Sequence, residues 1–173
     1  MSVVSSSEAV AAAAMTPLPG TPHTDATLLA TMREMAQELI AFNKLLGLQL
    51  TGFSSAGAQA HLRMKPELVG HYASGRIHGG AISAALDTLG GIAIMGAMAA
   101  RYAHEPLGQQ LQRFGRIGTI DLRVDYLRAG MGPAFDIQAQ VLRLGSRVAN
   151  TRMDFFAEGG PLLATASAAY IVA

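Results

Sequence analysis

Apolar residues recur at Leu28, Met32, Met35, Leu39 and Leu46, with Arg33, Glu34, Gln37 and Glu38 between them. That is the spacing of a helix with one buried face, and it predicts an amphipathic helix ending near Asn43, with Asp25 or Thr27 as N-cap. Leu46 to Met64 reads as two short strands around Ser54-Ser55-Ala56-Gly57, where Ser and Gly supply turn chemistry. Residues 65–76 carry Pro66, Gly70 and Gly75 and read as loop. Residues 81–100 are apolar on every side apart from Asp87 and a few small polar positions, and a helix of that kind is buried all round.

After Gly118 the period changes from helical to alternating. Ile120, Leu122, Val124 and Tyr126 alternate with Asp121, Arg123 and Asp125, which predicts a half-buried antiparallel strand with those four on its apolar face. Residues 128–133 break it. Phe135, Ile137, Ala139 and Val141 line the next strand, Gly145-Ser146 turns into Val148 to Phe156, and Glu158-Gly159-Gly160-Pro161 turns into a last strand, Leu162 to Val172. No strand–helix–strand alternation appears, so the class is α+β: an antiparallel sheet wrapped around one long apolar central helix. Gly90, Gly91 and Gly96 would let that sheet approach the helix closely. Residues 1–26, rich in Ser and Ala, read as a flexible tail, and residues 27–173 as one domain.

Composition narrows the function. A net charge of +1 with no basic block speaks against nucleic acid as a partner. The chain has no cysteine, which excludes disulfides, thiolate metal sites and a Cys nucleophile and suits a reducing compartment such as the cytoplasm. His23, His61, His71, His78 and His104 lack ligand spacing, so no metal is expected. The N-terminus has no basic segment followed by a long apolar one, as a secretory signal would. Residues 81–100 are long enough to span a membrane, but Asp87 and the abundance of Ala and Gly favour a buried core helix instead. Neither a phosphate-binding loop nor a dinucleotide fingerprint occurs, and no cofactor is expected. A serine-hydrolase elbow is absent as well.

The residues that carry chemistry lie where loop meets helix, in His78-Gly79-Gly80 and then Asp87. The first N–H groups of a helix have no internal partner and stand at the positive end of its dipole, so they suit an oxygen gaining negative charge. Glycine there lets a carbonyl come close. Asp87 follows about two turns later, and a carboxylate among apolar neighbours is costly unless it is paired or used. Simpler readings stand beside these: Gly79-Gly80 as a tight turn, and His78 as a residue that shapes the loop rather than one that touches substrate.

His78-Gly79-Gly80 with Asp87 nine residues after the histidine, followed by Gly118-Thr119-Ile120-Asp121-Leu122-Arg123-Val124-Asp125-Tyr126-Leu127-Arg128, resembles the PaaI-like branch of the hot-dog acyl-CoA thioesterases. The likeness to bacterial medium- and long-chain enzymes covers roughly Leu46 to Val172. It implies a hot-dog fold and hydrolysis of acyl-CoA. The Gly79 N–H, with or without Gly80, would polarise the thioester carbonyl, and Asp87 would serve as general base or nucleophile. Thr119 would stand where relatives place a hydroxyl that holds the water. Some relatives carry an Asn six residues before the motif histidine; Tyr72 stands there and becomes a substrate-binding candidate. The resemblance also implies a homodimer or homotetramer in which Asp87 of one copy faces the glycine loop of another. Arg128, Arg143 and Arg147, near strand ends and turns, are candidates for the CoA phosphates.

Two other functions fit the same fold. A dehydratase on acyl-CoA or acyl carrier protein would need a second acid near Asp87, which the helix lacks. A non-catalytic acyl-CoA sensor would not need both Asp87 and the glycine motif.

Overall fold

The computed structural model describes Met15 and residues 26–173. The flexible-tail expectation for residues 1–26 therefore falls almost wholly outside the described residues. Helix α1 (Ala26–Glu34) buries Leu28 and Met32 and runs into one π-helical turn, Met35–Leu39. Ile40 is extended, and α2 (Ala41–Leu46) restarts after it and ends at Gly47 in the left-handed region, φ 78°. The single helix expected as far as Asn43 is thus interrupted. The wide turn rotates the apolar stripe, Ala36 replaces Met35 as the deeply buried residue, and Leu39 is left 68 % exposed.

Strands β1 (Leu48–Phe53) and β2 (Gly57–Arg63) form the expected hairpin around Ser54. The expected loop 65–76 contains a short 3-10 turn and a small ribbon of β3 (Val69–His71) and β4 (Arg76–Ile77), which Gly75 closes at φ 66°. Helix α3 (Gly79–Arg101) follows, then α4 (Leu107–Phe114), which the expected order of elements did not include although Leu107, Leu111 and Phe114 recur at helical spacing. Arg113 makes two hydrogen bonds to Glu105, of 2.8 and 2.7 Å, and its guanidinium stacks over the Tyr102 ring; together these tie α4 to the end of α3. Strands β5 (Gly118–Tyr126), β6 (Ala134–Leu144), β7 (Val148–Ala157) and β8 (Leu162–Ile171) complete a six-stranded antiparallel sheet in the order β1-β2-β6-β7-β8-β5.

The sheet wraps α3. Ala58, Ala60 and Leu62 on β2, Phe135, Ile137 and Ala139 on β6, and Met153 and Phe155 on β7 are all sealed from solvent, as are Ala85, Leu86, Leu89 and Ile94 on the helix. Burying each large side chain contributes about 1.5–3 kcal/mol. Small residues on the sheet make room for a 23-residue helix long and apolar enough to cross a membrane, and its covered face identifies it as a core helix.

Strand β5 departs from simple alternation. Its register with β8 shifts between Thr119 and Asp121, so Ile120 sits in a bulge and is 57 % exposed instead of facing the core. The extra residue turns Thr119 to the helix side, opposite Tyr170, while Leu122 and Val124 keep their inward direction opposite Ala168 and Ala166. Bulges re-aim side chains in this way at sheet edges, and β5 is an edge.

Candidate active site

The start of α3 is held from both sides. His78 N–H donates to the Leu68 carbonyl at 2.8 Å, and Ile77 N–H to the Gly130 carbonyl at 3.0 Å. Gly70 lacks a side chain where one would strike His78, at 2.5 Å from its Cα. His78 is the N-cap: its Nδ1 accepts the Gly80 N–H at 2.8 Å. This is the loop-shaping role, and it occupies the Gly80 donor. The Gly79 N–H has no partner among the described residues and no intrahelical acceptor by position. On its other side the Gly79 carbonyl accepts a 2.8 Å hydrogen bond from the Tyr126 hydroxyl, and the Tyr126 ring packs close against Gly79. The pattern along β5 gave Tyr126 only a place on the apolar face; its phenol positions the glycine.

Asp87 is half-buried, two turns along the same helix. Its Oδ1 accepts from the Thr119 hydroxyl at 2.9 Å and lies 3.1 Å from the Tyr170 hydroxyl, which also lies 3.0 Å from the Asp87 carbonyl oxygen. Oδ2 has no partner among the described residues. Tyr170 is 2 % exposed, and burial together with the adjacent carboxylate pushes its phenol well above the usual tyrosine range, so it stays a neutral donor. Gly90 makes this arrangement possible, because a Cβ there would lie 2.3 Å from the Tyr170 hydroxyl oxygen. Tyr170 was legible in the sequence only as a strand residue; nothing local announced its reach across the core.

A cleft of about 260 Å³ opens beside Asp87, lined by Thr119, Tyr170, Asn43, Thr88 and the apolar residues of α2 and α3. Asn43 is 2 % exposed; its Oδ1 accepts from Thr88 at 3.1 Å and its Nδ2 is buried without a partner among the described residues. A second cleft, about 420 Å³, lies at Gly79 between Tyr126, Arg76 and Arg128. Arg128 also donates to the Leu162 carbonyl at 2.8 Å.

The structure brings Asp87 and Thr119 together, and Gly79, Gly80, His78 and Arg128 together, as two separate groups. Along α3 the eight steps from Gly79 to Asp87 span about 12 Å, too far for one carbonyl to touch both. Tyr72 is 96 % exposed, stacks on the His71 ring and lines neither cleft. Arg143 and Arg147 flank the β6–β7 turn, whose carbonyls at Leu144 and Gly145 accept from Arg101. That places them near the far end of α3, about 33 Å from Gly79 along its axis.

A model of the thioesterase superfamily matches residues 74–164. The medium/long-chain acyl-CoA thioesterase YigI of Salmonella typhimurium is 38 % identical over 144 residues, 83 % of this chain and 93 % of that protein. YigI of Escherichia coli K12 is 37 % identical over the same shares. Among solved structures, a Shewanella oneidensis protein described as related to the thioesterase superfamily matches with a TM-score of 0.80 and 34 % identity, over 86 % of this chain and 97 % of that one.

Proposed function

The chain belongs to the thioesterase superfamily, and on that premise we propose that it hydrolyses acyl-CoA, with medium- to long-chain acyl groups preferred, in a site completed by a second copy of itself. The observation that carries this reading is a half-buried Asp87 with one oxygen held by Thr119 and Tyr170 and the other unpartnered at a cleft. The Gly79 N–H of one copy polarises the thioester carbonyl. Asp87 of the other takes a proton from water as the water oxygen bonds to the carbonyl carbon, or attacks that carbon itself. The oxyanion rests on the Gly79 N–H, and its collapse breaks the C–S bond. On the water route the proton held by Asp87 passes to the CoA sulfur; on the direct route CoA leaves as thiolate, and water then cleaves the acyl-Asp87 anhydride to the carboxylic acid and free Asp87, its second proton going to the thiolate.

The 12 Å gap within one helix supports the two-copy site, as does the position of β5 at the sheet edge with Ile120, Tyr126 and Leu127 exposed along it. Arg128, with Arg76, suits the CoA phosphates beside Gly79. Arg143 and Arg147 reach a thioester at Gly79 only from another copy. The cysteine-free composition suits the cytoplasm.

The test is release of free CoA from acetyl-, octanoyl-, palmitoyl- and phenylacetyl-CoA, read with a thiol reagent that this chain cannot consume. Hydrolysis that collapses in Asp87→Asn supports the reading. Tight binding of acyl-CoA with no hydrolysis of any of the four would replace it with a sensor.

A further inference from the structure

Helix α3 carries glycine at positions 90, 91 and 96, and two of the three have a packing reason. A Cβ at Gly90 would lie 2.3 Å from the Tyr170 hydroxyl, and one at Gly96 would lie 2.2 Å from the Ser54 carbonyl oxygen. Gly91 is different. A Cβ there meets nothing within 4 Å among the described residues, and its φ is not positive, so neither their packing nor the backbone conformation demands glycine. Glycine is also unfavourable inside a helix, so the missing side chain at Gly91 works against the fold.

Gly91 lies one turn beyond Asp87 and one turn before Met95, and all three line the 260 Å³ cleft. The cleft has polar and apolar walls. Beside Asp87 stand Thr119, Tyr170, Thr88 and Asn43, whose Nδ2 is buried without a partner among the described residues. Past Gly91 along the helix come Ile92 and Met95, and Ile117, Ile40 and Phe42 complete the apolar lining. A ligand with a polar head and an alkyl tail matches that lining.

We propose that Gly91 is the specificity-determining position for alkyl chain length: its missing side chain holds open the passage from Asp87 toward Met95, about 12 Å along the helix, in which the tail of the acyl group lies. This rests on the acyl-CoA reading for the identity of the ligand, but not on hydrolysis.

The experiment measures binding of octyl-CoA and hexadecyl-CoA thioethers, which cannot be hydrolysed, to the full chain and to Gly91→Ala and Gly91→Met by titration calorimetry. Melting temperature and elution volume are recorded alongside. The unmodified chain binds the hexadecyl compound more tightly. Gly91→Met reduces that preference by about tenfold or more, Gly91→Ala by less, and both variants melt no lower than the original, because each replacement is a better helix former. An unchanged preference in Gly91→Met overturns the inference. So does a lower oligomeric state in both variants, since Gly91 would then make room for another chain. If the preference is unchanged while Asp87→Asn abolishes CoA release, the thioesterase reading stands alone; if the preference shifts while no acyl-CoA is hydrolysed, the Gly91 inference stands without it.

Discussion

At the first turn of α3 the cap is local, His78 Nδ1 receiving the Gly80 N–H two residues away, and one distant side chain, Tyr126, steadies the Gly79 carbonyl. At Asp87 the partners come from strands, Thr119 from 32 residues away and Tyr170 from 83. The first turn can form once the loop is seated, and it presents a donor to solvent. The Asp87 turn exists only when the sheet has closed over the helix with β5 and β8 in register. A site divided in this way separates two tasks. The donor for an oxyanion comes from local backbone geometry, whereas the carboxylate is aimed by the packed core.

The largest expected effects come from removing one group at each turn. Asp87→Asn should lower kcat by roughly 10²–10⁴-fold. Gly79→Pro should lower it by roughly 10²–10³-fold, because it deletes the free N–H. Proline is tolerated at the first helical position, and His78 already has the extended backbone, φ −69° and ψ 136°, that a following proline requires, so the fold should survive. Unfolding and refolding the two inactive variants together then gives a sharper test. Activity should return in the mixed assemblies, where one site pairs an intact Asp87 with an intact Gly79. A mixture that stays inactive would mean that both turns act within one chain.

Next in size is the support around the carboxylate. Tyr170→Phe and Thr119→Val should each lower kcat by about tenfold, or ~1.4 kcal/mol of transition-state stabilisation. The double variant should fall short of the product, because both hydroxyls meet the same Oδ1. Gly90→Ala should destabilise the fold by about 1–3 kcal/mol in a denaturant titration, since the new methyl group collides with Tyr170 and Met153.

The smallest effects are pH slopes. Tyr170 has its phenol pushed up in the folded state, so above the ordinary range near pH ~10 the unfolded chain loses a proton that the folded chain keeps. Stability should therefore fall as pH rises through that range, and Tyr170→Phe should flatten the slope. At the far end of α3 the sign reverses. Arg113 holds the half-buried Glu105 carboxyl below its usual range, so the contribution of that pair is present above the ordinary carboxylate range and lost as pH falls through the folded value. Arg113→Met should remove a small part of the acid-side slope and leave kcat unchanged.

Hydrophobic periodicity carried most of the architecture. The two early strands, the buried helix and the last three strands lie where the pattern put them, because each presents a continuous apolar face to one core. It failed where the backbone changes period. The π-helical turn at Met35–Leu39 exposes Leu39, and the bulge at Ile120 exchanges the directions of Ile120 and Thr119. Both are insertions into a regular repeat, and a count of apolar positions carries no record of them. Helix α4 carries its own apolar stripe, Leu107, Leu111 and Phe114 at helical spacing against the core, but its eight residues are shorter than the window over which that period stands out, and Glu105 and Arg113 add a polar anchor.

Residue identity and helical spacing are enough to place a glycine pair at the opening of the apolar helix and one carboxylate inside it. Hydrophobic periodicity likewise places the strands that cover the helix. Packing between elements settles which donors Asp87 has, that Gly80 is occupied by His78 while Gly79 is open, that Gly90 is required by Tyr170, and that Gly91 is required by nothing among the described residues. Spacing along one element fixes which residues share a face. Contacts between elements depend on register, bulges and the closeness of packing, which are set jointly by the whole core and by no segment of it.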